Sequence, residues 1–283
     1  MSNQRWAVGS NQYIKRPRHT VGEPAVALPA RPPAGRQRTR MDAISWDESK
    51  IDVEGIHRSS VDRARARFRA QLPELIWNAA ALEGNTYTLH EVRTLLEGVT
   101  VGGKRVEEAE QILDLSEAYA RLDEMVGAGT FRLDKATSDE LHAIVARHEA
   151  LDAGRFRGEG SATGGGHVRL SDGTRVEGVP TGKAGANLRR RATDLLTYIE
   201  NEESDPRMQA LVYFAAGTRT QFYFDGNKRT ARLMMTGHLM SSGFDAVSVP
   251  AARRLEFNQA LDVLFATDDA TTLMAFLATC TLD

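Results

Sequence analysis

Phe224-Asp225-Gly226-Asn227-Lys228-Arg229-Thr230-Ala231-Arg232 is the stretch from which the chain is best read. An apolar helical run leads down to Phe224. Gly226 and Asn227 then allow a tight turn, and a second helix begins near Lys228. Such a turn presents backbone N–H groups at a helix N-terminus, which is an anion site. Lys228 and Arg229 add cationic donors where a first helical turn ordinarily prefers acids, at a cost of a few tenths of a kcal/mol unless an anion is present. Arg232 follows three residues later, within reach of the same side of the helix, and the planar guanidinium fork suits phosphate oxygens. Asp225, among these cations, suits a Mg²⁺ that bridges phosphates. Taken alone, the same residues also fit a solvated turn with surface charges.

Outward from this segment the helical period dominates. Helical runs are predicted over 61–82 with an interruption at Pro73, from a capping box at Thr88-Leu89-His90-Glu91 to Leu96, and over 106–126, with Ile112, Leu113, Leu115, Tyr119 and Leu122 on one recurring face. A second capping box, Thr137-Ser138-Asp139-Glu140, is expected to open a helix over 141–150. Further helices are expected at about 184–202, 206–219, 227–242, 253–266 and 269–281. Gly84 is placed as a left-handed helix terminus. Residues 154–183 are glycine-rich; there His167-Val168-Arg169-Leu170, Ser171-Asp172-Gly173 and Thr174-Arg175-Val176 read as a hairpin with an Asp-Gly turn. The fold class is therefore all-α, a helical bundle with a small β-hairpin.

The formal net charge is -2, but residues 1–40 hold Arg5, Lys15, Arg16, Arg18, Arg31, Arg36, Arg38 and Arg40 against Glu23 alone. With five prolines and little apolar periodicity, that region reads as a mobile basic arm. The division expected is an arm over 1–45, N-terminal helices over 46–130, and a core with C-terminal helices over 131–283. The rest of the chain is acidic, which argues against broad nucleic-acid binding. The one cysteine, Cys280, excludes an internal disulfide and a cysteine-based metal site. No run approaches the roughly 20 apolar residues that cross a membrane, and residues 1–10 lack the apolar core of a secretory signal. A cytoplasmic setting is expected. No heptad pattern declares a partner face, so a homodimer stays open.

Gln221-Phe222-Tyr223-Phe224-Asp225-Gly226-Asn227-Lys228-Arg229-Thr230-Ala231-Arg232 resembles the Fic motif, His-x-Phe-x-(Asp/Glu)-Gly-Asn-(Gly/Lys)-Arg-x-x-Arg. Far upstream, Ala79-Ala80-Ala81-Leu82-Glu83-Gly84-Asn85 resembles that family's inhibitory motif, (Ser/Thr)-x-x-x-Glu-(Gly/Asn). The resemblance covers about residues 60–283 and implies a Fic-type helical bundle with a hairpin flap. It implies transfer of AMP from ATP to a hydroxyl side chain (Ser, Thr or Tyr) of a target protein, with ATP as co-substrate and Mg²⁺ as its ion. Position by position, Asp225 would hold Mg²⁺, and Gly226, Asn227 and Lys228 would form the anion hole. Arg229 would bind phosphate oxygens and Arg232 the γ-phosphate. His167, Val168, Arg169 and Leu170 would dock the target segment. Glu83 would pair with Arg232 and block the γ-phosphate position.

Two positions depart from the pattern. Ala79 stands where the inhibitory motif has Ser or Thr. Gln221 stands where the family has the histidine that takes the proton of the attacking hydroxyl. An amide has no pKa near neutrality, and loss of a general base typically costs about 10²–10⁴ in rate. Gln221 can still orient a hydroxyl, and Asn227 and Arg229 complete the expected catalytic set. His167 is the histidine with a route to the site, although it also reads as an ordinary loop histidine. Three functions follow: an AMP-transferring enzyme restrained by Glu83, a catalytically impaired nucleotide-binding module that regulates a partner, and a phosphotransferase, to which Lys228 points.

Overall fold

The structure is a computed structural model that describes residues 39–41 and 43–282. The expected arm, 1–45, lies outside the described residues except at its end, which is built into the fold. There Thr39–Arg40 (β1) pairs antiparallel with Ser45–Trp46 (β2), and Ile44 is buried.

Ten α-helices follow among the described residues. Val61–Ala70 (α1) starts at Ser60, whose side chain accepts the Arg63 N–H, and Ala64 and Phe68 face the core at i, i+4 spacing. Gln71 separates it from Leu72–Leu82 (α2), where Pro73 falls in the first turn, a position that has no intrahelical partner to lose. Gly84, at φ +95°, ends that run as expected. Leu89–Leu96 (α3) carries the predicted capping box, with Glu91 N to Thr88 Oγ1 at 3.3 Å and Thr88 N to Glu91 Oε2 at 2.7 Å. Val106–Gly127 (α4) buries Ile112, Leu115, Tyr119 and Leu122, but Leu113 is 46% exposed. Adjacent residues lie about 100° apart on a helix, so Leu113 leaves the stripe that Ile112 joins.

Lys135–Val145 (α5) corrects a second expectation. Asp134 caps it by accepting the Thr137 N–H at 2.8 Å, and the helix ends before residue 146 rather than at 150. Asp134 competes with Thr137 for the cap, and the earlier start wins because Leu141 and Val145 then face the core.

Val168–Arg169 (β3) and Arg175–Val176 (β4) form the predicted hairpin, with Val168 opposite Val176 and Arg169 opposite Arg175. Thr174 N–H closes the turn onto Asp172 Oδ1 at 2.8 Å. The remaining helices are Ala186–Asn201 (α6), Pro206–Thr220 (α7), Asn227–Ser241 (α8), Arg254–Thr267 (α9) and Thr271–Ala278 (α10). α7 and α8 are buried around most of their circumference, and α8 carries Asn227, Arg229 and Arg232 inward with its apolar residues. One core extends from Ile44 to Leu282 and draws on both 46–130 and 131–283. A smaller cluster, with Phe156, Leu188, Phe222 and Tyr223, lies apart from it. No helix among the described residues is long and apolar enough to cross a membrane.

Candidate functional site

The loop between α7 and α8 is built from its backbone outward. α7 ends at Gln221 in the left-handed region (φ +55°, ψ +63°), and Gly226 (φ +69°) precedes the first residue of α8. A Cβ on Gly226 would lie 2.8 Å from the Ala146 Cβ, so both conformation and space require glycine here. The Asn227 side chain holds the loop together. Its Oδ1 accepts the Tyr223 N–H at 2.8 Å, and its Nδ2 donates to Tyr223 O at 2.8 Å and to Gln221 Oε1 at 3.1 Å. What Asn227 offers an anion is therefore its backbone N–H, which, like those of Lys228 and Arg229, has no carbonyl one turn earlier in the helix. The Gln221 amide is committed as well, since Nε2 donates to Thr218 O at 2.7 Å.

Two buried residues that sequence reasoning missed support this loop. His142 Nε2–H donates to Asp225 O at 2.9 Å, and its Nδ1 accepts the Gly154 N–H at 2.8 Å. These bonds select one neutral tautomer, and burial pushes its pKa down to about 4. The ring stacks on Tyr223 at 3.7 Å between centroids. The Tyr223 hydroxyl donates to Asp139 Oδ1 at 2.8 Å; burial raises its pKa well above that of an ordinary phenol. Arg157, 2% exposed, binds carbonyls. Its Nε donates to Gln221 O at 2.7 Å, Nη1 to Gly165 O at 2.9 Å and Nη2 to Val179 O at 3.0 Å. It thus ties the loop to the segments on both sides of the hairpin. Neither residue carries a motif, and only their positions in three dimensions distinguish them.

The charges pair differently from expectation. Lys228 Nζ lies 2.9 Å from Glu83 Oε2. Arg229 is held by Glu149, with Nη1–Oε1 at 3.0 Å and Nη2–Oε2 at 2.5 Å, and Nη1 also donates to Val145 O at 3.0 Å. Its contact with Asp225 is longer, 3.6 Å. Arg232 is buried and its two terminal nitrogens have no hydrogen-bond partner, nor does Glu83 Oε1. The expected Glu83–Arg232 hydrogen-bonded pair is therefore replaced by Glu83–Lys228. Lys228 stands in the first turn of α8 on a long, flexible stem, whereas Arg232 lies a turn deeper. Burial pushes the Glu83 carboxyl up, but Lys228, Arg229 and Arg232 together outweigh it and hold its pKa below the ordinary carboxylate value.

A cavity of about 440 Å³ opens over this cradle. Its wall contains every expected site residue except Arg232: Glu83, the hairpin residues His167 to Leu170, and Gln221 with Asp225 to Arg229. Arg229 and Arg232 are three residues apart, hence about 60° apart around the helix, and only the first borders the cavity. The opposite wall is one face of α9, with Asn258, Leu261, Asp262 and Phe265 at i, i+3, i+4 and i+7 spacing. In the sequence this face has only ordinary amphipathic periodicity. Asp262 accepts the Ser171 N–H at 3.3 Å and also binds the Ser171 hydroxyl, which tethers the hairpin tip to α9. Asp225 is 60% exposed, and among the described residues no group of three or more His, Cys, Asp or Glu side chains is placed to hold a metal ion.

No family model matches the chain. Among curated proteins it is similar to the protein adenylyltransferase Fic of Drosophila melanogaster, 28% identical over 291 residues, which cover 99% of this chain and 55% of that protein. The Drosophila ananassae protein of the same name is 28% identical over 260 residues, covering 88% of this chain and 49% of that one. The chain spans about half the length of the curated relatives it matches. Among solved structures it resembles Fic-1 from C. elegans, with a TM-score of 0.63 and 21% identity over 78% of this chain and 67% of that one. It also resembles a Fic domain containing signaling protein from Bacteroides thetaiotaomicron, with a TM-score of 0.61 and 17% identity over 80% of this chain and 85% of that one. The likeness to these structures is one of fold.

Proposed function

We propose that the chain is a Fic-type protein, as its likeness to the Drosophila adenylyltransferases suggests, and that the cavity is a Mg-ATP site from which AMP is transferred to a hydroxyl side chain of a target protein, under restraint by Glu83. The observation that carries this reading is the first turn of α8. There a left-handed glycine, the helix N-terminus and two cations, Lys228 and Arg229, converge on the cavity wall. Cations at the positive end of a helix lose energy unless an anion faces them. Here the carboxylates of Glu83 and Glu149 meet that requirement, and a phosphate chain that displaced them would meet it in their place. Asp225 suits Mg²⁺ as a single protein carboxylate, because that ion keeps water and takes phosphate oxygens for its other positions. The buried Arg232, whose two terminal nitrogens have no hydrogen-bond partner, lies one turn behind, available to a terminal phosphate once side chains at the cradle rearrange. The hairpin from His167 to Leu170 lines the same cavity and has an edge suited to an extended target segment.

A second reading is a nucleotide-binding module that regulates a partner without turnover. Gln221 favours it, since both ends of its amide are bonded within the protein and an amide cannot accept a hydroxyl proton at neutral pH. Incubation with α- and γ-labelled ATP, as wild type, Glu83→Gly and Gln221→His, separates the readings. Label from the α position marks AMP transfer and label from the γ position marks phosphotransfer. Binding of ATP with label transferred only by Gln221→His forms supports the module. Absence of ATP binding by all three forms overturns the proposal.

A further inference from the structure

We propose that Glu149 is a second acidic occupant of the phosphate cradle, coupled to Glu83 through Gln111 and Asn85. The inference rests on the nucleotide reading above and extends it to regulation. Arg229 is the most buried cation on the cavity wall, with a side chain 2% exposed, and its fork is already filled by Glu149 at 3.0 and 2.5 Å. A guanidinium held bidentately by one carboxylate has lost the geometry with which it would hold a phosphate. Glu149 lies on an exposed turn after α5, and its own side chain is 28% exposed. It can therefore swing outward without repacking the core, while Arg229 stays in place to exchange one anion for another.

Glu149 does not act alone. Its Oε1 accepts from Gln111 Nε2 at 3.0 Å, and Gln111 Oε1 accepts from Asn85 Nδ2 at 3.0 Å. Asn85 is two residues beyond Glu83, which holds Lys228 at 2.9 Å. Two strings thus run from the end of α2 to the first turn of α8. One is the direct Glu83–Lys228 pair; the other passes through α4 and the turn after α5. Each ends with a carboxylate on a cation that the nucleotide would need. Withdrawal of Glu149 takes the acceptor from Gln111 Nε2, and Asn85, still bonded to Glu108 O at 2.9 Å, loses its ordered contact with Gln111; the α2 end that presents Glu83 loosens, so the two acids leave together.

The test is calorimetric titration of the full chain with inorganic tripolyphosphate and, separately, with Mg-ATP. The forms compared are wild type, Glu149→Gln, Gln111→Leu, Glu83→Gln and the Glu83→Gln/Glu149→Gln double variant. Glu149→Gln is expected to bind tripolyphosphate about tenfold more tightly, and Gln111→Leu to show a smaller gain. The double variant should gain less than the product of the single gains, because release of one acid already frees the other. A Glu149 that is only structural would lower Tm on substitution with no gain in affinity, and that result overturns the inference. If Glu149→Gln does not fold, Gln111→Leu decides, since it leaves every charged group in place; unchanged affinity overturns the inference. Binding by no form to either probe, Glu83→Gln included, overturns the nucleotide reading and this inference with it. Binding by wild type without these gains overturns the inference alone.

Discussion

Lys228 Nζ stands 2.9 Å from Glu83 Oε2, so the residue that ends α2 closes onto the first turn of α8. The pairing is favourable at both helix termini. Glu83 sits at the negative end of α2, where a carboxylate is disfavoured, and finds a cation at the positive end of α8, where a cation is disfavoured. Each offsets the other, and both line the cavity at the first turn of α8.

Removing that contact should strengthen nucleotide binding across a wide pH range. The folded-state pKa of Glu83 is depressed, so its contact is fully present above the ordinary carboxyl value of 4.5 and is lost as pH falls through the lower folded value. The ratio of ATP affinities of Glu83→Gln and wild type is expected to be constant from about pH 5.5 to 8, where both reference and folded carboxyls are ionised. Titrations at several pH values check it.

Gln221→His should raise target labelling by about 10²–10⁴-fold, the usual contribution of a general base. ATP affinity should hardly change, because the cradle from Gly226 to Arg229 is untouched. Initial rates with α-labelled ATP, set beside equilibrium binding, measure the two separately.

Gly226→Ala should destabilise the fold by about 2–4 kcal/mol. The left-handed backbone accounts for roughly 1–2 of this, and crowding against Ala146 Cβ at 2.8 Å for the rest. Urea unfolding at pH 7 reads the change.

Arg157→Met should cost at least about 3 kcal/mol, because the carbonyls of Gln221, Gly165 and Val179 lose their buried donor together. Hydrogen exchange should accelerate in residues 164–166 and 221–224 well before α10. An even acceleration across the chain would refute the clamp.

Acid should destabilise the protein before its carboxylates protonate. Burial holds both His142 and His238 at a pKa of about 4, against about 6.5 in the unfolded chain. The unfolded state therefore binds more protons between those values, and stability present above pH 6.5 falls progressively toward pH 4, by on the order of 3 kcal/mol per histidine. Unfolding free energies of wild type and His142→Gln at pH 7 and pH 5 test it; the variant's loss should be the smaller.

The helical plan was legible because its signals are local. The capping box at Thr88 and Glu91, the prolines at 73 and 206 and the glycines at 84 and 226 each act within a few residues, and the structure carries all of them. Thr137 misled for the same reason: two capping side chains lay three residues apart, and core packing chose Asp134. Leu113 shows the limit of reading a face by periodicity alone.

In the site, the same boundary falls between backbone and side chain. The turn at Gly226, the exposed N–H groups of α8 and the cations that follow them are dictated within nine residues, since helix-terminus physics needs no distant partner. Which acid meets which cation is another matter. Glu83 with Lys228 spans 145 positions, Glu149 with Arg229 spans 80, and the carbonyls around Arg157 come from three separate segments. Long charged side chains reach several ångströms and choose among neighbours by small differences in distance and burial. Those differences exist only once α2, α4, α5 and α8 have packed, which is why Arg232 is hidden and Glu149 had no signature in the chain.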